Sequence, residues 1–366
     1  MTHDKTACCK HESTDGQYWN RLAEAAVGKG ATGNSRQGFT LVQEELATAR
    51  EAGDAGGESS AIHGAAVLHL MRGDYWSAMA ASLDAFEAAG KAKDRLGEAR
   101  AVTMLVLSLT PMEPGTEGLD MLERALGIAI EFEDPLLEVR TRNVMGILQG
   151  DLGRFDEAAL QFETALTAIN LGAANFDEWR IVANKANLFR KRAEAAARAG
   201  DRERCDEFVA LGLDLAVRAD AHCEHHGKLP IRLDAINISG MLLGVHGQMP
   251  AAVARFETAW RLAVAERHRA LLPFLGTCLA PHYLAMNRWA DAERVLLNAY
   301  EEARLYRPST KGEALCRLAA TVYARKGDPR RAEHWDLESQ RSSVEFAAFK
   351  DDAQRQQAWV AGRWLA

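Results

Sequence analysis

Small and apolar residues recur along the chain at a fixed distance from a short polar turn. The clearest turns read Gly-Asp-Tyr-Trp-Ser-Ala at 73–78, Gly-Arg-Phe-Asp-Glu-Ala at 153–158, Asn-Arg-Trp-Ala-Asp-Ala at 287–292 and Gly-Asp-Pro-Arg-Arg-Ala at 327–332. Weaker copies begin at Gly33, Glu113, Gly200 and Gly247. The first residues of these turns, called anchors below, are 40, 40, 40, 47, 47, 40 and 40 residues apart. Such a period predicts an array of structural repeats.

Two columns of small residues flank the anchors and predict closely packed helix pairs. Five residues after the anchor stand Gly38, Ala78, Gly118, Ala158, Cys205, Ala252, Ala292 and Ala332. Seven residues before it stand Ala26, Ala66, Val106, Gly146, Ala193, Gly240, Ala280 and Ala320. Small side chains allow antiparallel helices to approach at the short end of the ~8–10 Å range. Larger residues nine after the anchor, such as Phe162 and Phe256, are expected to wedge between neighbouring repeats.

The turns also carry signals for helix ends. Glycine readily adopts the left-handed conformation just past a helix C-terminus. Asp74, Asp201 and Asp328 follow an anchor glycine and are placed to cap the next helix, and Pro329 suits a first helical turn. The pattern therefore predicts helix–turn–helix units.

These columns resemble the tetratricopeptide repeat over roughly residues 17–345. The resemblance implies an all-α fold, a right-handed α-α superhelix of about eight helix–turn–helix repeats. The standard unit has 34 residues, and the longer units here are similar to those of kinesin light chains and of sensor arms in bacterial signalling regulators. The two 47-residue steps are expected to change the superhelical path locally.

Residues outside the repeats are expected to form two terminal segments. Residues 1–16 are predicted to be a mobile tail, and residues 346–366 a separate capping or docking helix. Phe346, Phe349, Trp359 and Trp364 are available to cover the last repeat. Two alternatives are self-association through Trp359 and Trp364, and a connection of the kind that joins such arrays to an output function in bacterial signalling proteins.

Composition narrows the range of partners. Hydrophobic residues make up 48% and charged residues 26% of the chain, and the net charge is -7. This balance argues against a nucleic-acid partner, which would favour a basic surface. No segment reaches the roughly 20 apolar residues of a membrane span, and no secretory signal is evident, so a cytoplasmic location and no membrane partner are expected.

The resemblance also implies where a ligand would bind, because the first helix of each pair lines the concave surface. The column ten before the anchor reads Ala23, His63, Thr103, Asn143, Arg190, Asn237, Thr277 and Arg317. Together with the column thirteen before, it predicts a polar band of Arg140, Asn143, Asn187, Arg190, Asp234 and Asn237, with Met241 beside it. Asn184 and Lys191 share a helical face with Asn187 and join the candidate set.

The polar band favours a site for a protein or peptide segment. An asparagine amide can both donate to and accept from a peptide backbone, while Arg140 and Arg190 would select acidic side chains or a carboxylate. The alternative is a solvated groove whose Asn143 and Asn237 bond within the scaffold. An alternative function of a different class is that of a sensor, in which a bound small molecule or metal ion changes the curvature of the solenoid.

Metal and enzyme signals are weak. His222, Cys223, His225 and His226 form the densest group of potential metal ligands, and Cys8, Cys9 and His11 form a second. Neither has a partner cluster at fixed spacing, so no metal and no cofactor are expected. No P-loop, dinucleotide-binding glycine motif, nucleophile elbow or His-Glu-x-x-His is present. A non-enzymatic protein is therefore expected.

Overall fold

The computed structural model describes residues 35–172, 174, 176–306 and 310–366, and all regular elements within these ranges are helices. The fifteen α-helices there are α1 (Ser35–Ala52), α2 (Ala55–Met71), α3 (Tyr75–Ala92), α4 (Arg95–Leu109), α5 (Gly115–Glu131), α6 (Pro135–Asp151), α7 (Phe155–Asn170), α8 (Glu178–Arg198), α9 (Arg202–His225), α10 (Leu229–Val245), α11 (Met249–Ala265), α12 (Leu272–Ala285), α13 (Trp289–Ala303), α14 (Gly312–Arg325) and α15 (Pro329–Trp364). Short 3-10 turns occupy Thr110–Met112, Arg269–Leu271 and Arg304–Tyr306. The predicted all-α solenoid is confirmed.

The helices form pairs around the predicted anchors. From α2–α3 to α14–α15, each pair joins across one anchor, and α1 occupies the second-helix position of the repeat anchored at Gly33. The first helix predicted for that repeat and the tail predicted at 1–16 lie outside the described residues. None of the described helices is both long and apolar enough to span a bilayer.

The turns have the predicted backbone conformation. All seven anchors from Gly73 to Gly327 have positive φ, including the non-glycine anchors Glu113 and Asn287, both at φ 58°. Asp74, Asp201 and Asp328 each accept a backbone N–H at 3.1 Å, which confirms them as caps. The tight pairing of each first and second helix thus follows from signals in the turn itself.

The turns between repeats hold left-handed residues that the sequence pattern did not single out, including Lys93 at φ 56°. A left-handed L-residue costs about 1–2 kcal/mol, more than the flexibility that glycine adds to the unfolded chain. Lys93→Gly is therefore expected to raise the free energy of unfolding by about 0.5–1 kcal/mol, measured by urea denaturation. Lys91→Gly, two residues earlier inside α3, should instead lower the free energy of unfolding. A change of the same sign in both variants would contradict this explanation.

The first helices form the inner layer of the solenoid. Most consecutive first helices pack directly against one another, whereas consecutive second helices are in sparse contact at most among the described elements. A curved double layer brings its inner members closer together, so the first helices line the concave side. The candidate residues Arg140, Asn143, Asn187, Asp234 and Asn237 all lie on such inner helices.

The small-residue columns allow large side chains to pack inside each repeat. A Cβ added to Gly146 would lie 2.6 Å from the Phe162 ring, and one added to Gly240 would lie 2.7 Å from the Phe256 ring. Ile181 and Leu188 of the following first helix share a core cluster with Phe162. The phenylalanines therefore fill the space within a repeat as well as the predicted junction between repeats.

The C-terminal region differs from the expectation of a separate helix starting at residue 346. Helix α15 runs without interruption from Pro329 to Trp364, because no glycine or proline occurs near the expected break. Residues 346–364, called the strap below, pack against the repeats anchored at 73 and 113. Trp364 Nε1 donates to the Met121 carbonyl at 3.0 Å. The expectation that Trp364 covers the last repeat is thus corrected.

Candidate functional site

Two predicted asparagines meet across neighbouring inner helices. The Nδ2 group of Asn184 on α8 donates to Oδ1 of Asn143 on α6, at 2.8 Å. Asn143 is only 6% exposed. The bond joins the repeats anchored at 153 and 200. The side-chain amide oxygen of Asn143 therefore already accepts a hydrogen bond within the scaffold, and a ligand would have to compete with Asn184 for it.

A second polar contact joins α8 to α10. Arg180 Nη1 donates to Asp234 Oδ2 at 2.6 Å. Arg180 was not among the candidate residues, although it precedes Asn184 by four positions and Asn187 by seven and so shares their helical face. That spacing was a signal that could have found it.

Asn237 is buried without a complete set of hydrogen bonds. Its side chain lies on α10, three residues after Asp234, and is 3% exposed. Its Oδ1 atom has no hydrogen-bond partner. Leaving a buried acceptor unpaired costs about 1–3 kcal/mol. Asn237 is therefore a polar group on the inner layer whose bonding capacity the scaffold leaves unused.

Arg140 lies in a charged neighbourhood around the partly buried His63. Both ring nitrogens of His63 are buried without partners. Burial, followed by the positive charges of Arg140 and Arg100, lowers the His63 pKa to about 3. Arg100 itself is paired with Asp134 at 2.8 Å. The ring is thus neutral at pH 7 and offers one N–H donor and one nitrogen acceptor.

The remaining candidates mostly contact their own scaffold. Arg190 Nε donates to Asn187 Oδ1 at 2.7 Å, and Arg190 also pairs with Glu194. Lys191 Nζ donates to Asp151 at 2.6 Å. Met241 is partly buried and packs between two core clusters. The structure brings Asn143 together with Asn184 and Arg180 together with Asp234, whereas Arg190 pairs within its own helix and Lys191 pairs with Asp151 of α6.

The turn at Gly73 lies close to the 3-10 turn Arg269–Leu271 of a distant repeat. A Cβ added to Gly73 would lie 3.7 Å from the carbonyl oxygen of Ala270. Burial raises the pKa of Tyr75, and the negative charge of Asp234 raises it further. The charge of Asp234, which pairs with Arg180, therefore also acts on Tyr75 of a distant repeat.

The histidine group at the end of α9 forms a stack of rings. His222 stacks on Trp179 with ring centroids 4.4 Å apart and lies 4.2 Å from His226. Cys223 is buried, and burial raises its thiol pKa to about 11, which disfavours the thiolate that a metal would need. In the described part of the chain, no group of three or more His, Cys, Asp or Glu residues is arranged to hold a metal. Cys8, Cys9 and His11 lie outside it.

Comparison with known proteins yields structural likeness alone. No protein-family model and no curated protein matches the chain. A Rap protein complexed with competence and sporulation factor matches with 11% identity and a TM-score of 0.48, covering 91% of this chain and 99% of that one. BtubC (BKLC) from P. vanneervenii matches with 15% identity and a TM-score of 0.45, covering 62% and 89%. Such low values carry no argument about function.

Helix pairing, anchor conformation and the inner layer together define the class of protein. The chain is an all-α helical-repeat solenoid.

Proposed function

We propose that this protein is a non-enzymatic scaffold that holds a protein or peptide segment on the concave surface at about residues 140–245. The observation that carries the proposal is the unpaired Oδ1 of Asn237, buried on an inner helix. An extended peptide backbone supplies N–H donors at regular intervals and would satisfy this acceptor. Asn143 lies two repeats earlier, on the corresponding position of its own inner helix.

Charge supports a preference for acidic segments. Arg140, Arg180 and Arg190 all lie on the two inner helices α6 and α8, where Arg180 pairs with Asp234 and Arg190 with Glu194, so an acidic ligand would exchange with these two carboxylates. Arginine pairs well with carboxylates through its planar group of donors. We further propose that the protein acts in the cytoplasm, in bacterial signalling or regulation, because its repeat columns resemble those of sensor arms in bacterial signalling regulators.

Selection from a random decapeptide library tests the proposed site. Peptides recovered on the wild-type chain are expected to lose at least about tenfold in affinity for the double variant Asn143→Ala with Asn237→Ala. The reason is that two hydrogen bonds of about 1 kcal/mol each are removed. Fluorescence anisotropy with labelled peptides measures the change.

The matched control replaces asparagines on second helices. Asn170 on α7 and Asn298 on α13 are exposed, and the double variant Asn170→Ala with Asn298→Ala should bind the same peptides as the wild type does. Equal affinity of the wild type and the inner-helix variant would falsify the proposed grip. Failure to recover any peptide that competes for the concave surface would refute the peptide-binding function itself.

A further inference from the structure

The strap carries a continuous apolar face along one side of α15. Phe349, Ala353, Val360 and Trp364 follow helical spacing and are each at most 5% exposed. They belong to one core cluster with Phe86 of α3 and Met121 of α5. This face of the strap is therefore buried like an ordinary part of the core.

Polar contacts fix the position of the strap. Gln357, 4% exposed, donates through Nε2 to the Pro114 carbonyl at 2.9 Å and to Glu117 Oε2 at 3.0 Å. Lys350 pairs with Glu113 at 2.8 Å. These partners are 237 to 243 residues apart in sequence. Repeats of a solenoid normally contact only their neighbours, so the strap makes an unusual connection from the last repeat to the repeats anchored at 73 and 113.

One turn connects the strap to the candidate binding surface. Trp76 lies beside the strap, with its ring centroid 4.6 Å from that of Phe349. The pKa of the preceding residue, Tyr75, is raised by burial and further by the negative charge of Asp234 on α10. The turn at Gly73 also lies against Ala270. Movement of the strap would therefore move a segment that lies against the turn at Ala270, between α11 and α12.

In this closed arrangement the asparagines of the proposed site are covered. Asn143 is 6% and Asn237 is 3% exposed. A peptide that pairs with both through its backbone needs the inner helices to part, which changes the curvature of the array. The strap opposes such a change, because the first half of α15 is fixed on α14 while the strap is fixed on α3 and α5.

We propose that the strap is an intramolecular lock, and that strap docking and peptide occupancy of the concave surface exclude each other. A peptide would bind the open form and release the strap, and the docked strap would weaken peptide binding. This inference rests on the proposed function for the identity of the ligand. Release would also expose Phe349 and Trp364 as an apolar helical surface.

The experiment uses full-length variants that weaken strap docking in two different ways. Trp364→Ala removes the terminal ring, and Ala353→Asp places a charge at a position that is 0% exposed. Leu337→Ala, on the same helix before the strap and 59% exposed at that residue, is the matched control. Circular dichroism establishes that the repeats stay helical, and either strap variant suffices if the other unfolds.

Two measurements test the lock: amide hydrogen exchange of the strap and the affinity of the chain for a peptide. Amide hydrogen exchange followed by mass spectrometry should show residues 346–364 protected in the wild type and in Leu337→Ala, and exchanging faster in the strap variants. A decapeptide from the library selection should bind the strap variants about tenfold more tightly than the wild type, within the usual 5- to 150-fold range of coupling between sites. Saturating peptide should increase exchange of the strap in the wild type.

The outcomes separate this inference from the proposed function. Unchanged or weaker peptide binding by both strap variants overturns the mutual exclusion, as does strap exchange that is insensitive to bound peptide. If no peptide is recovered on any variant, the proposed function fails. Amide hydrogen exchange in the unliganded chain then tests the lock by itself. Equal exchange rates for residues 346–364 in the wild type and the strap variants would show that the strap is not docked as proposed.

Discussion

Truncation of Phe256 to alanine is expected to lower the free energy of unfolding by about 3–5 kcal/mol, the usual cost of emptying a phenylalanine site in a packed core. The ring is 0% exposed and belongs to the core cluster that joins α10 to α15. It lies directly on Gly240, where an added Cβ would be 2.7 Å away. Urea denaturation followed by circular dichroism measures the loss.

A double-mutant cycle with Gly240 tests the geometry behind this value. Gly240→Ala alone should cost about 1–3 kcal/mol, because its methyl group overpacks against the ring. In the Phe256→Ala background the same methyl has room, so its cost should largely disappear. Phe132→Ala, at a ring that is 45% exposed, is the control and should cost under about 1 kcal/mol. Additive effects at 240 and 256 would show that the two residues do not touch.

His63 is expected to make the protein sensitive to acid. Its pKa is 6.5 when unperturbed and about 3 in the folded chain, so the unfolded chain binds the proton more readily. The contribution of the neutral ring to stability is complete above pH 6.5 and is lost as the pH falls towards 3. Between pH 7.5 and 4.5, the wild type should lose about 2–3 kcal/mol more than His63→Leu, at about 1.4 kcal/mol per pH unit below 6.5.

His63→Gln serves as the companion variant for this measurement. Glutamine and leucine differ in polarity but neither titrates, so both variants should show the same flattened pH dependence even if their stabilities at pH 7.5 differ. Titration of the His63 ring by NMR gives the folded-state pKa directly. A pH dependence that is the same in the wild type and both variants would rule out a lowered His63 pKa in the folded chain.

Local signals explain why most of the fold could be predicted from the sequence. A small residue such as Gly146 or Gly240 has its effect within its own helix pair, and Asp201 caps the helix that it precedes. The sequence did not predict the left-handed conformation of Lys93, Glu133 and Arg267, because the flanking helices impose it and the residue type does not indicate it. The path of α15 could not be predicted, since its apolar stripe requires a partner surface without specifying which one.

The candidate site was predicted less completely, for a related reason. Helical periodicity places Asn143, Asn184 and Asn237 on inner helices, but it does not determine how neighbouring polar groups pair. The bonds from Asn184 to Asn143 and from Arg180 to Asp234 depend on distances between helices. Whether these residues hold a peptide stays a prediction.

The long separation between the strap and its docking surface has a consequence during synthesis. Trp364 is made 243 residues after Met121, and at 5–20 residues per second translation needs about 12–50 s to cover that distance. Throughout this interval the face of Phe86 that later meets Trp364 has no covering helix on the nascent chain. During this interval the strap of another copy can dock on the same surface, and such exchange between chains is a characteristic assembly error of repeat proteins.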